Sequence, residues 1–204
     1  MKRIGILLGI VLVLLVLGSR APKASEAAQA ANTPRYTEDG KMLFPENYRE
    51  WVYLSTGIDM NYRPSGGMDH SMFDNVFVNP ESYKAFLATG TWPDKTMLVL
   101  EVRGAGSKSA INKAGHYRTT DLMGVEVHVK DEARFQGIGK WAFFSFEEGK
   151  PAKMFPKEME CYSCHQQHAA VDTTFVQFYP TLIELAKKKG TLSAAYVKEE
   201  GEVK

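Results

Sequence analysis

The chain has 204 residues, 25 Lys and Arg against 24 Asp and Glu, 44% hydrophobic residues and two cysteines. So balanced a charge argues against nucleic acid, which demands a basic face, and gives no field that steers partners of one sign; the length suits one domain behind a targeting segment.

Met1-Lys2-Arg3, followed by an uncharged apolar run from Ile4 to Leu17 broken only by two glycines, predicts an export signal. Fourteen residues at a helical rise of about 1.5 Å cover about 21 Å, short of the ~30 Å core of a bilayer, so cleavage is expected and a retained anchor is the alternative. Small-residue cleavage sites stand at Ser19-Arg20-Ala21 and Ala28-Gln29-Ala30, the second favoured because Pro22 follows the first. No cysteine follows the run, which excludes a lipoprotein anchor. Residues 19–35, rich in Ala, Ser, Lys and Pro, predict a disordered tether, with folding from about Tyr36. The expected organisation is a signal and tether over residues 1–30 and one domain over residues 31–204. Removing the first segment takes four bases and one acid, leaving 21 against 23.

Glu46 to Leu54 predicts a short amphipathic helix, with Tyr48, Trp51, Val52 and Leu54 at helical spacing after Pro45. A Gly/Pro/Asp-rich loop over residues 57–70 leads to a short strand, Asn75 to Val78. Asn79 as N-cap and Pro80 in the first turn open a helix that Gly90 ends. Thr96 to Arg103 predicts a strand, Gly104 to Gly115 a long loop, and Asp121 to Lys130 another strand. In that strand Val125, Val127 and Val129 alternate with Gly124, Glu126 and His128, so Glu126 and His128 share a face. Trp141 to Phe146 predicts the next strand, and Gln166 to Lys189 a helix that Pro180 kinks and Gly190 ends. Strands followed by helices give an α+β class with an antiparallel sheet.

Cys161-Tyr162-Ser163-Cys164-His165 contains both cysteines in the spacing of a c-type haem attachment site. Two thiols three residues apart can each add to one vinyl group of the same porphyrin, and His165 is then placed to bind the iron. One covalent haem c is therefore the expected cofactor. A disulfide or redox pair does not need the histidine, and zinc would need two further ligands. His168 is expected at the surface near the haem edge. Met68, Met72, Met97, Met123, Met154, Met159, His70, His116 and His128 are all available as a sixth ligand. An occupied sixth position means electron transfer, an open one means small-molecule binding.

Four blocks in order, Phe44 to Val52, Val76 to Tyr83, Trp141-Ala142-Phe143 and Phe178-Tyr179-Pro180, surround the C-terminal CxxCH. In these the chain resembles the cytochrome P460 family. The resemblance implies a homodimeric, mainly β haem protein with His165 proximal and the other side of the iron open. It also implies, in the hydroxylamine-oxidising members, a lysine bonded to the macrocycle, at the position of Leu100. Lys95 lies five residues away on the opposite strand face, about 16 Å off, and Lys108 and Lys113 fall in a loop. Glu126 matches a family glutamate that takes protons from substrate, as general base, and Asp74 stands where the family has a distal arginine.

With leucine in place of the lysine, the chain resembles the sister group, cytochrome c′-beta, which binds nitric oxide at an apolar face. Phe73, Phe77, Phe143, Phe144 and Phe146 are the aromatic candidates for that face. The expectation is an exported, periplasmic haem protein binding NO. The alternatives are a hydroxylamine oxidiser using Glu126 and an electron-transfer cytochrome with an unidentified redox partner.

Overall fold

The computed structural model describes residues 32–60 and 71–202. The predicted export signal lies outside them. Among the described residues no helix is long and apolar enough to cross a membrane.

Strands β1 (Val52–Ile58), β2 (Met72–Val78), β3 (Met97–Gly106), β4 (Tyr117–Lys130) and β5 (Trp141–Phe146) lie in chain order in one antiparallel sheet. Helix α1 (Pro80–Thr89) spans the β2–β3 connection, and α2 (Glu160–His168), α3 (Ile183–Lys189) and α4 (Ala194–Glu202) follow the sheet. This is the expected α+β architecture.

The central strands are covered on both faces: β3 is largely apolar in both alternate sets, whereas β4 turns Val125, Val127 and Val129 to one side and Glu126, His128 and Lys130 to the other. On one face Met97, Val99, Val125, Val127, Val129, Ala142, Phe144 and Phe146 pack with Met42, Tyr48, Trp51 and Phe135. On the other, Leu54, Val78, Leu98 and Trp141 pack with Phe86 and Trp92, and with Val171, Val176, Tyr179 and Leu182 from the C-terminal segment. Register follows from this division, since a one-residue slip of β3 or β4 would exchange the two faces.

A buried carboxylate fastens the first face. Glu101, 2% exposed, accepts hydrogen bonds from Tyr48 Oη at 2.6 Å and Arg103 Nε at 2.7 Å, and pairs with Arg49 at 2.6 Å. Burial pushes its pKa up, but the bonds from Arg103, Tyr48 and Arg49 outweigh burial and hold it at about 2.

Asn79 serves a different end from the predicted cap. Its amide donates to the carbonyls of Asn32 and Lys95 at 3.2 and 3.3 Å, and its Oδ1 accepts the Met97 N–H at 2.9 Å. Asn32 in turn accepts hydrogen bonds from Asn47 and Trp51, both at 2.8 Å, and is buried. The ordered fold therefore starts by Asn32, inside the predicted tether.

Several element boundaries depart from expectation. Tyr48–Glu50 is a single 3₁₀ turn, after which Trp51 is extended and Val52 enters β1. The three-residue spacing of Tyr48 and Trp51 suits 3.0 residues per turn as well as an α-helix. The expected long helix from Gln166 to Lys189 is α2, starting six residues earlier, then an extended stretch, a 3₁₀ turn at Val176–Phe178, and α3. Its apolar period came from segments that lie against one core without forming one helix. β3 and β4 also extend into the predicted Gly104 to Gly115 loop and its flank, and α4 carried too few apolar residues to be foreseen.

Glu101→Gln leaves Arg49 and Arg103 without their anion and should cost about 3 kcal/mol, near the low end for a broken buried pair because Arg49 keeps contact with water. The measurement is the urea midpoint at neutral pH. In the unaltered protein this contribution is complete above the ordinary value of 4.5 and is lost as pH falls toward about 2.

Candidate functional site

The second face of the sheet opens into a cavity of about 350 Å³. Each strand contributes its alternate residues: Ser55 and Gly57 from β1, Met72, Asp74 and Val76 from β2, Leu98 and Leu100 from β3, Glu126 and His128 from β4, and Phe143 from β5. His165, Thr174, Phe175, Phe178 and Tyr179 close it from the C-terminal segment. The sheet register sets Leu100 opposite both Val76 and Glu126. Asp74, Leu100, Glu126 and His165 are thus brought together, and Glu126 and His128 share a face as the alternation required.

Phe73 is a correction. It adjoins Asp74 on β2, so it projects to the opposite face, where it lines a separate depression with Tyr53, Phe77, His116 and Arg118. Phe144 and Phe146 belong to the other core. Of the five aromatic candidates only Phe143 reaches the cavity.

The attachment motif lies on α2. Cys161, Cys164 and His165 are spaced i, i+3, i+4 and share one helix face. Both thiols are free, and burial pushes each above its ordinary pKa, with Glu126 adding to the effect at Cys161. Reactive redox pairs show the reverse shift. Among the described residues no group of three or more His, Cys, Asp or Glu gathers as a metal site.

His165 is fixed before any ligand is added. Its Nδ1 donates to the Thr173 carbonyl at 2.7 Å, which leaves Nε2 available to a metal. Its ring lies 4.2 Å from Phe175, 4.7 Å from Phe143 and 4.9 Å from His128, measured between centroids. Burial lowers its pKa, opposed by the bond to Thr173, so the ring is neutral and able to coordinate.

His128 stacks on Phe143 at 4.0 Å, and burial holds its pKa far below the ordinary value. Its buried Nε2 has no hydrogen-bond partner. A largely apolar cavity that presents His165 and an unpaired buried imidazole fits a haem group; the two cysteines do not line it but share the helix face of His165. Cys161 and Cys164 could anchor its edge, and His165 could bind its iron.

Two carboxyl groups also line the cavity, Asp74 and Glu126. Burial raises the pKa of Glu126, and the charge of Asp74 adds to this; burial likewise raises Asp74, with Asp59 contributing. Glu126 is nonetheless exposed along its accessible surface, and it lines the cavity. Among the described lining residues there is no lysine or arginine. Lys95 pairs with Asp131 at 2.5 Å, and Lys108 and Lys113 are exposed.

Of the sixth-ligand candidates, Met72 and His128 line the cavity. Met97 is in the opposite core, Met123, Met154 and Met159 are exposed, and His116 lines the other depression. Met68 and His70 lie outside the described residues. His168 meets Glu199 of α4 at 3.0 Å at the surface, as expected. Sequence reasoning missed Met60, which lines the cavity and lies across Gly57 so closely that a Cβ there would sit 2.3 Å from its sulfur. It also missed Phe175, whose signal was the apolar period assigned to one long helix.

Glu126→Gln should stabilise the protein at neutral pH. A carboxyl whose folded pKa is raised opposes folding once pH exceeds its unfolded value, so the gain should be present at pH 7 and vanish below the ordinary value of 4.5. Urea midpoints at pH 7 and about pH 4 check both halves.

No curated protein matches the chain. The profile of one family, cytochrome P460, matches residues 45–176, which include β1 to β5, α1, the attachment motif, Leu100, Glu126 and His165. The match ends before the Phe178-Tyr179-Pro180 block that also carries the resemblance. By this match over more than half its length, and by a cavity that fits haem, the chain belongs to the cytochrome P460 family and is a haem cytochrome.

Proposed function

We propose that this chain is an exported, single-haem c-type cytochrome that binds a small uncharged ligand, nitric oxide first, on the side of the iron opposite His165. Cys161 and Cys164 would hold the porphyrin through thioethers, and His165 would bind the iron. The observation that carries this reading is Leu100, at the centre of the cavity wall between Val76 and Glu126. Leucine has no amine to bond to the macrocycle, and it keeps the wall apolar.

The ligand class follows from the lining. An anion entering a site with no described cation and two carboxylates loses hydration without compensation, whereas a neutral diatomic loses little. The haem supplies ligand binding at its iron; the chain supplies the apolar wall, the fixed axial histidine and the exclusion of charge. Export to the periplasm and pairing into a homodimer belong to the same proposal, supported by the basic-apolar N-terminus and by the family.

One observation favours hydroxylamine oxidation instead. Glu126 lies in the cavity with its pKa raised, which makes it a stronger proton acceptor than an ordinary carboxylate. Another favours electron transfer, since the thioethers of Met60 and Met72 line the same cavity as candidates for a sixth ligand.

Mass spectrometry of the proteolysed holoprotein separates the first two readings. A haem peptide bonded only through Cys161 and Cys164 is the expected result, and a third bond to any residue restores the enzyme. Leu100→Lys should in turn create a bond to the macrocycle, seen as a crosslinked peptide with a displaced Soret band. Leu100→Lys holoprotein with neither change contradicts the placement of Leu100 against the haem.

A further inference from the structure

The carbonyl that receives His165 belongs to a turn whose backbone is unusual. Asp172 and Thr173 have φ of +49° and +60°, two successive left-handed residues without a glycine. Turns with positive φ at both central positions favour Asn-Gly, and a β-branched residue there is a steric outlier. Thr173 also buries its hydroxyl without a partner. Such a conformation persists only where its surroundings impose it.

The surroundings are specific. Val171 and Thr174 close the turn by paired backbone bonds of 3.3 and 2.8 Å. The Thr174 hydroxyl donates to the Val171 carbonyl at 2.6 Å and accepts the Trp92 indole N–H at 2.8 Å. The Asp172 carboxylate accepts the Trp92 backbone N–H at 3.0 Å and lies 3.6 Å from Lys130 Nζ, which itself donates to the Trp92 carbonyl at 2.7 Å. Trp92 is 2% exposed, so the frame is rigid. Lys130 follows Glu126 and His128 at alternate positions of β4, so one strand face carries the cavity carboxylate, the ring packed on His165, and the anchor of the turn that receives His165.

We infer that Asp172 is a positioning residue for the axial histidine: by anchoring this turn to Trp92 and Lys130 it holds the Thr173 carbonyl on His165 Nδ1 and so sets how strongly His165 donates to the iron. A firm acceptor on Nδ1 makes the imidazole more basic, which favours ferric over ferrous iron. Loosening the turn weakens the donation and raises the reduction potential. The inference rests on His165 binding the haem iron and is independent of which molecule binds opposite.

The test uses the holoprotein and two readouts, the reduction potential by optical titration and the iron–histidine stretching frequency of the ferrous form by resonance Raman. Asp172→Ala should raise the potential and lower the stretching frequency. Asp172→Asn keeps an acceptor for Trp92 and tolerates positive φ, and should recover most of both values. Should Asp172→Ala fail to fold, Lys130→Met removes the other half of the anchor and should shift both readouts in the same direction. Wild-type values in Asp172→Ala, or in Lys130→Met where the first variant does not fold, overturn the inference. So does an Asp172→Asn variant displaced as far as Asp172→Ala.

Discussion

A sheet buried on both sides makes every strand serve two environments at once, and the site depends on that constraint. In β4, Val125, Val127 and Val129 pack into one core while Glu126, His128 and Lys130 face the other side. In β3, Val99 and Glu101 face the first core while Leu98 and Leu100 face the cavity. The apolar residues thereby fix the register that sets Leu100 beside Glu126. The Glu101 cluster with Tyr48, Arg49 and Arg103 adds a directional anchor directly behind the cavity wall.

The second half of the site is held by the chain returning from α2. Cys161, Cys164 and His165 occupy one face of a short helix, and the turn at residues 171–174 reaches back to hold the His165 ring from its other nitrogen. A haem held by Cys161, Cys164 and His165, as proposed, would meet a preformed sheet. The sheet supplies the chemistry around a bound ligand: apolar at Leu100 and Val76, acidic at Asp74 and Glu126. That combination suits an uncharged guest better than an anion.

The grouping of Cys161, Cys164 and His165 was legible in the sequence, because i, i+3, i+4 spacing puts three side chains on one face of the helix that forms there. The shared face of Glu126 and His128 was legible from alternation, β5 was found with the same ends as in the structure, and Pro80 and Gly90 marked the limits of α1. Phe73 was misplaced because its strand was expected to begin at Asn75. Had it begun at Met72, parity alone would have put Phe73 and Asp74 on opposite faces. The turn at Asp172-Thr173 was hidden because neither residue announces a left-handed backbone, and its cause lies in Trp92 and Lys130, distant in sequence. Met60 reaches the cavity through the missing Cβ of Gly57, a packing relation with no periodic signal.

The most direct measurement is the absorption spectrum of the purified holoprotein, oxidised and reduced, before and after addition of NO. The account predicts a high-spin ferrous spectrum at ordinary c-type wavelengths that shifts when NO is added. A low-spin, six-coordinate spectrum unchanged by NO contradicts it, as does a ferrous Soret band displaced far to the red before any ligand is present.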